Sequence, residues 1–339
     1  MPITQNAKRR VFYTKTEGAT PGVFVGKIVL FTIGNAVIPP DSVKFSPDIS
    51  MFDRKPDGPS LQPLASVAGQ AAGKISFSSR LIGPASKGVA GPLSDLFKAC
   101  AMSEVLVGTT SATFKEDPNS QIRLSCGFGS IQEDGLLEVE HALAGCAVSK
   151  LEIKAGKVGE PIMCDWELTG KIAYETAAVV AVDDATPNTG ITFVNDSAQG
   201  FKFLGLTVTS GLLSRSINNF VFTRGLPVEL GTDASDLAGY DYCKFGQTDP
   251  QVKIDPSKVA VATANDVANF VAGATASAGF TVTNAAGATF SMAFPNLQPM
   301  SLSDDARGPV STWGITAHCR RSLTGLAADA SDAFTMVFA

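Results

Sequence analysis

Two histidines, His141 and His318, are the only ones in the chain, so Ser/His/Asp or Cys/His catalysis would depend on one of them. Each falls in a run of alternating polar and apolar residues, where a histidine without a motif serves structure. Gly69-Gln70-Ala71-Ala72-Gly73-Lys74 is one residue short of a phosphate-binding loop between its glycines, and Ile75 stands where Ser or Thr must reach magnesium. Gly127-Phe128-Gly129 lacks the third glycine of a dinucleotide fingerprint, and neither Gly-x-Ser-x-Gly nor His-Glu-x-x-His occurs. Acidic pairs such as Glu133-Asp134, Asp183-Asp184 and Asp304-Asp305 sit beside small or turn residues, which reads as solvated turns and not as a calcium site or catalytic dyad. The expectation is a protein that is not an enzyme, with no catalytic residues, cofactor or metal.

The six cysteines (Cys100, Cys126, Cys146, Cys164, Cys243, Cys319) form no C-x-x-C pair and read as small buried hydrophobes in a reducing compartment. Charged residues make up only 17% of the chain against a usual share of about 25%, so much of its surface is expected to meet protein. The net charge is -5, and the basic clusters go no further than Lys8-Arg9-Arg10 and Arg320-Arg321, which disfavours tight binding to nucleic acid. Residues Met1 to Arg10 lack the apolar core of a secretory signal, and no apolar window reaches the ~18 residues of a membrane span. Both point to a protein made and kept in the cytoplasm.

The elements that would position any site are mostly strands. Lys150 to Ala155 and Ile162 to Leu168 alternate around the turn formers Gly156 to Pro161, predicting an antiparallel pair with one wet face. Ala278 to Phe294 predicts a hairpin turning at Asn284 to Gly287. Further strands are expected at Lys74 to Leu81, Gln121 to Phe128, Leu136 to His141, Phe201 to Thr209, Ser216 to Thr223, Val310 to Cys319 and Phe334 to Phe338. A helix is expected from Pro92 to Met102, with Leu93, Leu96, Phe97 and Cys100 as its stripe, and a second at Asn265 to Ala272 with Asn265 as cap. Pro39 to Pro63 and Ala144 to Pro161 are rich in turn formers, and the first is long enough for an extended loop or arm. Trp166 and Trp313 read as core residues. With 339 residues, strands in both halves and one helix in each, the chain reads as a duplication joined near Ala185 to Gly190.

Ala72-Gly73-Lys74-Ile75-Ser76-Phe77, then Arg80 to Pro84 and the helix from Pro92, resembles the opening of tail tube (major tail) proteins of long-tailed, siphovirus-like bacteriophages. The segments Ala144 to Lys157 and Pro161 to Gly170 are similar to that family's strand, turn, strand and terminal glycine, and Ile217-Asn218-Asn219 and Asp249 to Pro256 resemble parts of its second half. The resemblance covers residues 68 to 260. It implies a mainly β fold, a tail-tube-type β-sandwich or partial barrel with a flanking short helix, whose sheets join between subunits into a β-barrel ring. The units are then 1–67, an N-terminal arm and extended loop region; 68–185, a first tail-tube-like unit; and 186–339, its duplicate.

The function implied is that of a structural virion protein, assembled in the host cytoplasm, whose stacked rings form the tail tube through which DNA passes at ejection. Partners are further copies of the chain, as a pseudo-hexameric homotrimer with a homohexamer as the alternative, and the terminator, distal tail and tape measure proteins. DNA transits the lumen without specific binding. A net-acidic chain suits such a wall, since like charge discourages phosphate, and Glu138, Glu140, Glu152 and Glu167, on alternating strands, are the candidate lumen-facing residues. Two readings compete: a virion-surface adhesive module of immunoglobulin-like sandwiches with Tyr240-Asp241-Tyr242 or Thr-rich strands as its contact face, and a tail-embedded hydrolase using His141 or His318.

Overall fold

A computed structural model describes residues 10–17, 21–22, 41–54, 64–84, 86–117, 122–131, 136–175, 178–179, 183–187, 200–204, 207–211, 215–261, 263–320 and 333–339. The first half holds β1 (Arg10–Thr16), β2 (Asp41–Arg54), β3 (Leu64–Arg80), helix α1 (Ser94–Lys98), β4 (Met102–Val107), β5 (Ser111–Glu116), β6 (Leu124–Ile131), β7 (Leu136–Ala155) and β8 (Met163–Ile172). Short strands β9 (Tyr174–Glu175), β10 (Ala178–Val179), β11 (Asp183–Pro187) and β12 (Thr207–Gly211) follow. The second half continues with β13 (Phe220–Gly225), β14 (Val228–Thr232), β15 (Tyr240–Phe245), β16 (Gln251–Ile254), helix α2 (Asp266–Val271), β17 (Ala276–Thr283), β18 (Thr289–Arg307), β19 (Val310–Cys319) and β20 (Thr335–Phe338).

The protein is mainly β, and its large sheet is antiparallel throughout the pairings observed. One layer runs in the order β2-β3-β8-β7-β13-β16-β19-β18. Its first four strands and its last four follow the same rule: each quartet has the order first, second, fourth, third along the chain, with a helix between its second and third members. The two quartets join where β7 pairs with β13, from Phe220 opposite Ala155 to Gly225 opposite Lys150. The boundary expected between residues 67 and 68 falls inside β3.

Strand β18 is long enough to serve two layers. Its half from Thr289 to Leu297 pairs with β17 and β20, and its half from Leu297 to Arg307 pairs with β19. The second layer is therefore β12-β17-β18-β20-β5-β4. Period-two alternation sends one face of each layer inward. Ile75, Phe77, Trp166, Leu168, Leu151, Ile153, Phe220 and Phe222 meet Phe280, Phe290, Phe294, Met336, Phe338 and Phe114 from the other side in one core cluster. Each such side chain contributes about 1.5–3 kcal/mol through removal from water. Helix α1 packs against this core through Phe97. Phe97 lies 5.0 Å from Phe114 and 5.3 Å from Trp166 between ring centroids, and Trp166 Nε1 donates to Ser79 Oγ at 2.9 Å.

The expected hairpins at 150–168 and 278–294 are present, as are strands at 310–319 and 335–338. Four expectations need correction. The first helix covers only Ser94–Lys98, although Leu93, Leu96, Phe97 and Cys100 are buried as its stripe predicts. The stretch from 39 to 63 is not an extended loop throughout, because 41–54 is strand β2; Pro47 is tolerated there because an edge strand lacks one set of ladder partners. The turn-rich stretch from 144 is also mostly strand: Gly145, at φ +63°, makes a bulge and the turn begins only after Ala155. Phe201 N donates to Leu81 O and its O accepts from Ile162 N, Phe203 N donates to Glu160 O and its O accepts from Gly159 N, and the strand expected from 201 starts at Thr207. Of the join expected at 185–190, residues 185–187 end strand β11 and 188–190 lie outside the described residues.

The turn after β17 offers a direct check. The Asn284 Oδ1 accepts from Ala286 N at 3.1 Å and from Ala288 N at 2.9 Å, and Gly287 takes φ +83°. Asn284→Ala removes acceptors from two amides in a half-closed turn and is expected to lower stability by about 1–2 kcal/mol in urea unfolding.

Candidate functional site

The face of the first layer that points away from the core is polar, and its rows follow from strand register. Ser78, Asp165, Glu152, Thr223, Gln251, His318 and Gln298 stand opposite one another in sequence across the layer. A neighbouring row carries Arg80, Met163, Lys154, Val221, Lys253, Thr316 and Ser301. Another holds Lys44, Ser76, Glu167 and Lys150.

Two of the four candidate glutamates, Glu152 and Glu167, are thus brought to one face on adjacent strands. Each has a cationic partner: Glu167 Oε1 lies 3.2 Å from Lys74 Nζ and Glu152 Oε2 3.1 Å from Lys150 Nζ. Asp165 binds Lys154, and this hydrogen bond raises the lysine's pKa above its ordinary value. Asp165 also accepts from Ser78 Oγ at 2.6 Å, and Glu167 accepts from Ser149 Oγ at 3.1 Å. Glu138 and Glu140 lie on β7, with Glu138 opposite Ser130 and Asp183 in backbone register, but their side chains are outside the described residues. Lys44, Lys74, Arg80, Lys150, Lys154 and Lys253 stand on the described face together with Asp48, Glu152, Asp165, Glu167 and Asp305. The acids are held as members of a charge ladder, half exposed, where each pair contributes at most about 1 kcal/mol.

The layer ends in two open edges. Beyond Phe45, β2 pairs with β3 alone among the described residues, and it exposes Ile49, Met51 and Phe52. At the far end, β18 from Gln298 to Arg307 pairs with β19 alone among the described residues. Unpaired N–H and C=O groups along such edges are templates for another strand.

Of the histidines, His318 Nδ1 lies 2.6 Å from Asp249 Oδ2, and Arg320 Nη1 is 3.7 Å from the other oxygen. It sits on the polar face between Gln251 and Gln298. The side chain of His141 is outside the described residues. Among the described residues there is no group of three or more His, Cys, Asp or Glu placed to hold a metal ion, and no helix is long and apolar enough to cross a membrane. Trp166 is fully buried as expected, whereas Trp313 packs at the margin with Lys258 Nζ 4.1 Å from its ring centre. Tyr240, Asp241 and Tyr242 lie on β15, which pairs with β14 in a small separate sheet.

Sequence reasoning did not single out the buried ion pair. Arg224, with a side chain 1% exposed, donates from Nη2 to Glu116 Oε1 at 3.1 Å and to Ala101 O at 3.2 Å, while its Nε and Nη1 have no hydrogen-bond partner among the described residues. The signal was present in period two: Phe220 and Phe222 point inward, and so must Arg224. No protein-family model matches the chain, and no curated protein matches it in sequence.

Proposed function

We propose that the chain is a structural subunit that closes into rings through its two open sheet edges and stacks into a tail tube of a long-tailed bacteriophage, the conduit for DNA at ejection. The observation that carries this reading is the first layer itself: a sheet with one core face, one polar face and an unpaired strand at each end. The repeated strand order in the two quartets supports reading them as a duplicated unit. The pairing of β7 with β13 is then the contact within one chain that β18 of one copy makes with β2 of the next, antiparallel as β7 and β13 are. Three chains complete a pseudo-sixfold ring on this reading. The polar face lines the lumen, where Lys74, Lys150 and Lys154 are each paired with a carboxylate and so are less available to phosphate.

The test is negative-stain electron microscopy of the purified chain across a concentration series. Rings or hollow tubes with threefold or pseudo-sixfold symmetry are expected. Sixfold rings built from six chains would replace the trimer by a hexamer. A compact monomer at every concentration, also in the presence of preassembled tail-tip complexes, would overturn the reading in favour of the adhesive module.

A further inference from the structure

Strands β6 and β7 bring two thiols together in a region the polar face does not use. Cys126 Sγ and Cys146 Sγ are 3.0 Å apart, both fully buried and both reduced. A disulfide holds its sulfurs at about 2.05 Å, so closing the pair needs a shift of roughly 1 Å. The local pairing supplies the freedom for that shift. Leu124 stands opposite Cys146 and Cys126 opposite Leu143, so one intervening residue of β6 faces two of β7, Ala144 and the left-handed Gly145. An extra residue in one strand interrupts the ladder at this point.

The surroundings single out this pair from the other cysteines. A third thiol, Cys243, is close enough to act electrostatically on Cys146, but its Sγ is engaged with Thr169 O at 3.0 Å. The residues beside the pair are clamped by one buried carboxylate: Glu17 Oε1 accepts from Ser125 Oγ at 2.9 Å and from Gly145 N at 2.7 Å. Glu17 follows β1, and β1 pairs only with β6 among the described residues. The layer of β1 and β6 pairs with the body at β7, where the two sulfurs meet, and touches it elsewhere only by side packing, as between β1 and helix α1 and between Arg123 Nε and Cys243 O.

We propose that Cys126 and Cys146 are an oxidation site at which a peroxide closes a crosslink that locks the β1–β6 layer onto β7. One thiol, as its thiolate, attacks hydrogen peroxide; an S–O bond forms, the O–O bond breaks and hydroxide leaves, taking up the thiol proton as water. The second sulfur then attacks the sulfenic sulfur, the S–S bond forms, the S–O bond breaks, and a second water leaves with the remaining proton. Two thiols are oxidised by two electrons and one peroxide is reduced to two waters. Burial, and after it the neighbouring Cys126, hold the Cys146 thiol well above its usual range. The thiolate is therefore scarce, and the site closes slowly, as a lasting lock and not as a fast sensor.

The experiment treats the purified full chain with hydrogen peroxide, denatures it, alkylates the remaining thiols and maps the peptides by mass spectrometry. Two of the six thiols are expected to vanish from the alkylated set together, joined as Cys126–Cys146 and restored by dithiothreitol. The crosslinked protein keeps single-chain mobility on a non-reducing gel, and its melting temperature rises by several degrees, while Cys146→Ala shows neither change. Six alkylated thiols after treatment, a bond to Cys243 in place of Cys126, or sulfinic acids without a crosslink would each overturn the proposal. The peptide map of the unmodified sequence decides the matter even if Cys146→Ala does not fold.

Discussion

Ile49→Lys combined with Met51→Lys is expected to leave the chain folded and, on the proposed ring, to stop its association. Both side chains lie on β2 beyond Phe45 and are 44% and 58% exposed, so within the monomer the new ammonium groups stay in water. Surface changes of this kind alter stability by about 0.5 kcal/mol or less. At a junction between β2 and β18 of a neighbour, the same groups would be taken out of water without partners. Each desolvated ion costs several kcal/mol, and about 1.4 kcal/mol is tenfold in an equilibrium, so the concentration needed for assembly rises by ~100-fold or more. Lysines on an edge strand are a common means of preventing strand addition. Sedimentation velocity together with thermal unfolding measures both halves of the expectation. Rings formed at the unmodified protein's concentration would remove β2 from the junction.

The second large effect concerns Arg224 and Glu116. The guanidinium is enclosed by the core, its Cζ 5.4 Å from the Phe334 ring centre, and among the described residues only its Nη2 has hydrogen-bond partners. Glu116→Ala leaves that cation buried with Ala101 O as its single acceptor, and is expected to destabilise the subunit by about 3–5 kcal/mol in urea unfolding. Replacing both partners, Glu116→Leu with Arg224→Met, removes the buried charge along with its counterion and should recover most of the loss. The double variant thus separates the cost of an unpaired charge from any net benefit of the pair. If the single variant loses less than about 1 kcal/mol, water reaches the guanidinium and the enclosure described above is incomplete.

The legibility of this fold in its sequence depends on how local each determinant is. The hairpin of β17 and β18 was readable because Phe280 and Val282 alternate, Asn284 and Gly287 suit the turn, and Phe290, Met292 and Phe294 alternate again. Helix α1 was readable as a stripe, but its length was not, since Ala101 adopts a left-handed φ of +52° and leads directly into β4. Strand β2 was hidden by Pro47 and its polar neighbours, which suit a loop as well as an edge. At α2 the cap was legible, with Asn265 accepting from Ala268 N at 3.0 Å, yet Val267 and Val271 face solvent because no element covers them within the described subunit.

The polar face was half legible for a related reason. Alternation within β7 and β8 placed Glu152 and Glu167 outward, but alternation says nothing about which strands are neighbours. The pairing of Glu167 with Lys74 joins residues 93 positions apart and depends on β3 lying beside β8. The same is true of the meeting of Cys126 and Cys146, where a bulge sets the register.

The position of β20 has a consequence for the order of folding during synthesis. Thr335–Phe338 is inserted between β18 and β5, with Met336 opposite Phe114 on one side and Met292 on the other. Strand β5 is translated far earlier, so one of its sides stays unsatisfied until residue 338 has left the ribosome. Non-local strand pairing of this kind is slow and exposes apolar edges while it waits. The second layer is thus completed late by a short segment, and a nascent chain halted before Thr335 would present Phe114 and Phe290 to water instead of a finished core.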